Sequence, residues 1–353
     1  MVYPRILIDT AKIYDNVKTL VEMAKENGME VVGVTKGFCA QNDVVKAYIE
    51  GGVTYIADSR IKNLKRLEQF EVPKILIRIP MISEAEDTVR YADISLNSEV
   101  ETIKALSNAS IKLNKTHSII LMMDLGDLRE GYFTEDDLYK SVAKIKDLPG
   151  IKIVGLGANF TCYGGVNPNK RLLDKLVFAK DAIELKYGIK LDIISGGNSS
   201  TVHLFNKENL KGINNIRLGE AIICGTESAY GKLISGTHND AFILETEVVE
   251  VKEKPSVPTE KIGRDAFGNI PTFEDRGIRK RIICGIGKQD TDFETMYPFD
   301  KDLIVLGGSS DHLILDGSDC EIDYKVGDII RFKLHYVSIL RLMTSEYVDK
   351  VIL

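Results

Sequence analysis

IYDNVKTLVEMAKENGMEVVGVTKGF, residues 13–38, holds one complete helix-then-strand unit. Ile13, Val17, Leu20, Val21 and Ala24 fall on one helical face, with Thr10 ahead of them as a cap and Gly28 behind them as a stop. The run VVGV at 31–34 is β-branched and short, as a parallel strand buried on both faces requires. Lys36 stands at the end of that strand.

Outward from this stretch the same unit recurs. Further strand candidates are TYIAD (54–58), KILIRI (74–79), DISLN (93–97), SIILMMD (118–124), IKIVGLGAN (151–159), LDIIS (191–195) and NNIRL (214–218). Seven of the eight strands are followed by a clear helical segment, such as EVETIKALSNASIKL or NKRLLDKLVFAKDAIELKYG, and the last by a shorter one beginning at Glu220. Strict alternation implies a parallel sheet, and eight units is the number that closes a barrel. An open doubly wound sheet would carry a GxGxxG turn after its first strand, and VTKGFCAQ is not one. The expected fold is therefore α/β: a (β/α)8 TIM-type barrel over residues 10–232.

Past Lys232 the texture changes. AFILETEVVEV, KRIICGI, DLIVLG, HLILD and DIIRFKL are separated by Pro-, Gly- and Asp-rich turns with little helical periodicity. A smaller, mostly antiparallel β domain is expected over 233–353, joined by an N-terminal strand within 1–9. Residues 254–279, rich in Pro and Gly, read as a long loop.

Composition narrows the class. Apolar residues make up 44% and charged residues 28% of the chain, as in water-soluble globular proteins. A net charge of −6 offers no footprint for nucleic acid or an anionic membrane. The N-terminus lacks a basic segment followed by an apolar run, and no stretch is long enough to span a bilayer. Five cysteines without a CxxC pair support neither a disulfide framework nor a zinc site, so a cytoplasmic location and no metal are expected.

In such a barrel the chemistry lies at the C-terminal ends of the strands. Those ends carry Lys36, Asp124 with Arg129 beyond it, Asn159, the segment SGGNSS at 195–200, and Arg217 with Gly219. Adjacent glycines let backbone N–H groups approach an anion, and the Ser/Asn cluster adds donors. The loops after strands seven and eight are where barrels of this kind commonly hold phosphate. The same residues also suit an ordinary strand-to-helix turn. A lysine across the mouth from an anion cradle is a Schiff-base candidate, although a solvated strand end is the commoner role for such a residue.

These residues resemble a family. VGVTKGF, MDLGDLREGY (123–132), GGNSS (196–200), IRLGEAI (216–222) and YVSILR (336–341) are similar, in order and over nearly the whole chain, to alanine racemases, which have a pyridoxal-phosphate barrel followed by a β domain. Within that family ADSRIKNLKRL, NFTCYGGV, RLGEAIICG, KPSVPT and SSDHLILD look most like the bacterial ornithine-racemising subgroup. The resemblance implies that Lys36 carries pyridoxal 5'-phosphate and serves as one of two acid-base groups. Arg217 would face the pyridine nitrogen. Gly197, Ser199, the backbone at Gly219 and Glu220, and Tyr336 would hold the phosphate, with Asn159 behind the cofactor. Arg129 would lie by the cofactor O3′ and the substrate carboxylate.

Four departures stand out. The tyrosine of the usual KANAYG is absent from KGFCAQ. Met122 replaces a lysine that commonly supports the arginine, and Asn159 replaces a histidine. Where the family shows GYxDG, this chain has Gly287-Lys288-Gln289-Asp290, which makes Lys288 a candidate for the second acid-base group, supplied by the other subunit of a homodimer with shared sites. A distal ammonium calls for a carboxylate, and Asp290, Asp292 or Asp311 in β-domain loops would supply it. The expected activity is interconversion of L- and D-ornithine. Racemisation of alanine, lysine or serine on the same scaffold, a metal-assisted lyase like D-threonine aldolase, and a non-catalytic pyridoxal-phosphate carrier are the alternatives. The carrier resembles the barrel half alone.

Overall fold

After strand β1 (Arg5–Ile8) and helix α1 (Thr10–Glu26), the chain lays down eight strands that close into a parallel barrel. They are β2 (Glu30–Val34), β3 (Tyr55–Asp58), β4 (Lys74–Leu76), β5 (Ile94–Asn97), β6 (His117–Met123), β7 (Ile151–Ala158), β8 (Ile193–Ser195) and β9 (Asn215–Leu218). The computed structural model that defines them describes residues 2–353. Among these residues no helix is long and apolar enough to cross a membrane. The chain divides into two compact units, Ala11–Asn239 and the segment up to Thr10 with Asp240–Leu353.

The barrel closes where β2 pairs with β9, with Val32 beside Arg217 and Gly33 beside Leu218. Its interior is filled by alternate residues of successive strands: Val32, Val34, Ala57, Ile75, Ile94, Leu96, Ile120 and Met122. Helices α2 (Asn42–Glu50), α3 (Ile61–Arg66), α4 (Ala85–Tyr91), α5 (Val100–Leu113), α6 (Glu135–Ile145), α7 (Lys170–Tyr187) and α8 (Glu220–Cys224) follow their strands. In α7 the buried stripe is Leu172, Leu173, Leu176, Ala179 and Ile183. Each large member contributes about 1.5–3 kcal/mol of burial. Asn16 of α1 donates to Ile222 O and His238 O, both at 2.8 Å, tying α1 to the last barrel helix.

Three expectations need correction. After β8 the chain makes only a 3-10 helix over Ser199–Leu204, so six strands, not seven, precede a full helix ahead of the short α8. The Ser200 N–H, donated to the Asn198 side chain, and the tight glycine turn set that segment's path. The loop expected at 254–279 is shorter, because Lys254 pairs with Arg279 and Pro255 with Ile278 at the end of a ladder. Proline is tolerated there because a terminal position needs no further N–H. YVSILR, in a region read as having little helical periodicity, is helix α9 (Tyr336–Thr344), whose buried Ser338, Ile339, Leu342 and Met343 follow the helical period.

The second unit is built on β10 (Phe242–Pro255), which bends at a bulge between Val248 and Glu250. Its first half pairs with β1 and with β15 (Ile329–Leu334), and its second half with β11 (Ile278–Cys284). The sheet continues through β12 (Met296–Pro298), β13 (Ile304–Gly308) and β14 (Leu313–Asp316), and β16 (Asp349–Ile352) lies parallel to β1. Glu245, 1% exposed, accepts from Arg5 and Arg331 and joins β1, β10 and β15 through one carboxylate.

Candidate active site

Lys36 opens a one-turn 3-10 helix immediately after β2 and is half-buried. Among the described residues no hydrogen bond or ion pair engages its ammonium. The backbone just before it is fixed. Thr35 donates its N–H to Ala57 O at 2.8 Å and its hydroxyl to Asp58 Oδ2 at 2.6 Å. Asp58, fully buried, also accepts from Asn63 Nδ2 and from the Arg60 N–H. Burial pushes the Asp58 carboxyl up, and those donors work against the rise. The lysine is thus carried on a pinned turn while its amine is left available.

Arg217, on β9 beside Val32, is buried, with 5% of its surface exposed. Its Nη1 donates to Ser195 Oγ at 2.5 Å and its Nη2 to Ala158 O at 2.7 Å. Ser195 Oγ in turn donates to Asn215 Oδ1 at 2.7 Å. Among the described residues Arg217 forms no ion pair. Burial lowers its pKa to about 10, which still leaves it charged at neutral pH. A desolvated cation without an anionic partner is costly unless another acceptor meets it. A pyridine nitrogen is such an acceptor, so this site fits the group implied by the resemblance.

The loops after β8 and β9 are joined by Ser199, whose Oγ accepts the Ala221 N–H at 3.0 Å and keeps its own O–H to donate. Gly197 sits at φ +107°, where a Cβ would come within 2.8 Å of the Phe160 ring and 2.7 Å of Thr201 Oγ1. Only glycine lets the backbone pass there. Gly219 precedes α8, and Glu220 begins it. Burial pushes the Glu220 carboxyl up, opposed by a Ser228 hydrogen bond, reinforced by Glu227 and opposed again by the charge of Lys36. Glu220 and Lys36 therefore share one electrostatic neighbourhood.

Arg129 and Asn159 come together across the loops after β6 and β7. The Arg129 guanidinium is paired with Glu130 through Nε and Nη2. The Asn159 amide lies between Arg129 Nη1, at 3.2 Å, and Asn198 Nδ2, at 2.9 Å. Its oxygen can face only one of these donors, and the charge-assisted bond to the guanidinium is the stronger. Asn198 then keeps its bonds to Phe160 O at 2.7 Å and from Ser200 N at 2.9 Å. The support for Arg129 that Met122 cannot give is supplied by Glu130 and Asn159. Asp58, Asp127 and Glu130 were not legible as site-building residues, although all three lie inside motifs that the sequence already singles out.

In the second unit, Lys288 holds its ammonium 4.4 Å from the centroid of the Phe267 ring. Asp290 is not an open loop acid: it is 4% exposed and accepts from Ser345 Oγ at 2.6 Å, so its carboxylate is used inside the unit. Asp311 is exposed, and hydrogen bonds from Ser310 and Ser309 hold its carboxyl below the usual range. Tyr336 begins α9, half-buried.

The family model "Alanine racemase, N-terminal domain" matches residues 8–227. Ornithine racemase of Acetoanaerobium sticklandii is 49% identical over 352 residues, covering 99% of this chain and 100% of that one. Lysine racemase of Thermotoga maritima is 41% identical over 354 residues, covering 99% of each. The crystal structure of alanine racemase from Bartonella henselae with covalently bound pyridoxal phosphate matches the fold with a TM-score of 0.73 at 17% identity, covering 100% of both chains.

Proposed function

The chain belongs to the alanine racemase family, and on that premise we propose that it interconverts L- and D-ornithine with pyridoxal 5'-phosphate bound through Lys36. The observation that carries the substrate is the full-length, 49% identity to an ornithine racemase. The geometry that supports the cofactor is the set of a lysine with an unengaged amine, a buried guanidinium without an acid partner and a glycine-serine loop pair.

When bound, pyridoxal phosphate delocalises the electron pair left on the substrate α-carbon, which is what makes that carbon acidic. The protein's own groups do the rest. Lys36 Nζ takes a proton from, or returns it to, one face of the α-carbon. The opposite face needs a second group with a pKa tuned towards neutrality. We assign that task to Lys288, carried by a second copy of the chain in a homodimer, the commonest closed assembly. Arg217 would donate to the pyridine nitrogen; a guanidinium keeps its proton, so that nitrogen would stay unprotonated. Gly197, Ser199, Gly219, Glu220 and Tyr336 would hold the phosphate, and Arg129, backed by Glu130 and Asn159, would orient the substrate carboxylate. Asp311 is the carboxylate assigned to the distal ammonium. Five cysteines outside any disulfide suit a reducing compartment, and the cytoplasm is the location we assign.

A second reading, lysine as substrate, is favoured by the 41% identity to a lysine racemase. One methylene changes kcat/KM by about 10- to 200-fold, enough to separate the two. The deciding measurement is α-proton exchange in deuterated water, with chirality followed in parallel, on separate L-ornithine, L-lysine, L-alanine and L-serine. Ornithine should exchange and racemise fastest, and a Lys36→Ala variant should do neither. Faster lysine turnover would transfer the assignment to the second reading, and absence of exchange with all four would reject both.

A further inference from the structure

Asp127 lies in the loop after β6, two residues before Arg129, and is 2% exposed. Its carboxylate faces no cation within ion-pair distance among the described residues. Instead it accepts three backbone N–H groups from the loop after β7: Cys162 and Tyr163 on Oδ2, both at 3.1 Å, and Val166 on Oδ1 at 3.2 Å. The Gly164 N–H adds a fourth bond, 3.0 Å to the Asp127 carbonyl. Asp127 thereby receives four of the five N–H groups of residues 162–166 in a neighbouring strand's loop.

The same two loops hold strained backbone. Leu128 sits at φ 56° and Thr161 at φ 58°. A β-branched residue in the left-handed region is a genuine outlier and costs on the order of 1–3 kcal/mol, retained only where the surroundings over-determine it. Thr161 directly precedes Cys162, and Leu128 directly follows Asp127, so both strained residues flank the carboxylate's bonds. On the far sides of those bonds lie Arg129 and Asn159, whose side chains meet.

We propose that Asp127 is a positioning residue for catalysis: its carboxylate locks the loop after β7 to the loop after β6 and so sets Arg129 against Asn159 for binding the substrate carboxylate. A carboxylate suits this task better than an amide. Its two oxygens offer acceptors only, whereas an amide would turn an NH2 group towards at least one of the three N–H groups. The lock acts through Arg129 and has no contact with substrate of its own. This inference rests on the assignment of Arg129 to the substrate carboxylate.

The test uses the cofactor-loaded full chain. In the wild type, the amides of Cys162, Tyr163 and Val166 should exchange with deuterium at least about tenfold more slowly than exposed amides of the 256–277 loop. Exchange as fast as that loop's would overturn the lock without any variant being made. Asp127→Asn should speed exchange at those three amides and lower kcat/KM for L-ornithine by about 100-fold, as a misplacement on the order of 1 Å does. In an Arg129→Ala background the same substitution should cost less than about threefold further, because its effect runs through the missing guanidinium. An equal loss in both backgrounds would make Asp127 a general stabiliser and reject the proposal. An Arg129→Ala variant with full activity would instead remove the Arg129 assignment, a failure distinct from that of the lock, since the exchange result stands by itself.

Discussion

Among the described residues, a guanidinium with no acid partner, a lysine with an unengaged amine and a carboxylate that receives only N–H and O–H donors set this site apart from a packed barrel. Arg217 and Lys36 have ordinary sequence surroundings, and Arg217 alone reads as a salt-bridge residue. Its burial and its bonds to Ser195 and Ala158 O change that reading. The contact between Asp58 and Thr35 was not foreseen because it spans 23 positions and a strand crossing. A buried polar group elsewhere in the barrel gives a pH test. Ser95 Oγ and His117 Nε2 lie 2.8 Å apart, and burial lowers the His117 pKa from 6.5 to about 4. Because the folded pKa is the lower one, the unfolded chain binds more protons between those values, and stability is full above about 6.5 and declines as pH falls towards 4. His117→Gln should flatten the acid limb of the urea midpoint plotted against pH. Superimposable acid limbs for the two proteins would reject that account.

Among the elements, β7 shows how a strand makes room. Gly155 and Gly157 face the barrel interior beside Ile193 and Ser195 of β8. A Cβ at Gly155 would come 2.9 Å from the carbonyl carbon of Ile193 and closer still to its oxygen. Gly155→Ala should therefore weaken the β7–β8 pairing and lower unfolding free energy by about 1–3 kcal/mol, read by denaturant titration. A loss below a few tenths would mean that β8 can shift at no cost. The strands were legible because buried parallel strands are continuous apolar runs. The 3-10 segment after β8 was not, since SSTVHL has the composition of a helical turn and its path is set by Asn198 and by Gly197. Helix α9 was missed for a related reason: nine residues amid strands leave a period-3.6 signal too short to stand out.

At the scale of the whole molecule, the chain's first strand belongs with its last. β1 lies between β10 and β16, and among the described residues β16 pairs only with β1. Removing residues 2–9 should strip amide protection from Asp349–Ile352 and from the start of β10, while the barrel strands keep theirs, as measured by hydrogen exchange. Uniform loss of protection across both units would refute this division. The sequence by itself determined the barrel, the sheet that follows it and the family, because hydrophobic period, strand count and ordered motifs are local properties that survive without coordinates. Tertiary structure alone decided that Arg217 lacks an acid, that Asp290 is spent on Ser345, that Glu130 and Asn159 support Arg129, and that Asp127 ties two loops together. Those facts depend on which groups meet across strands far apart in the chain, and on what burial leaves each polar atom to bond with, neither of which a linear pattern encodes.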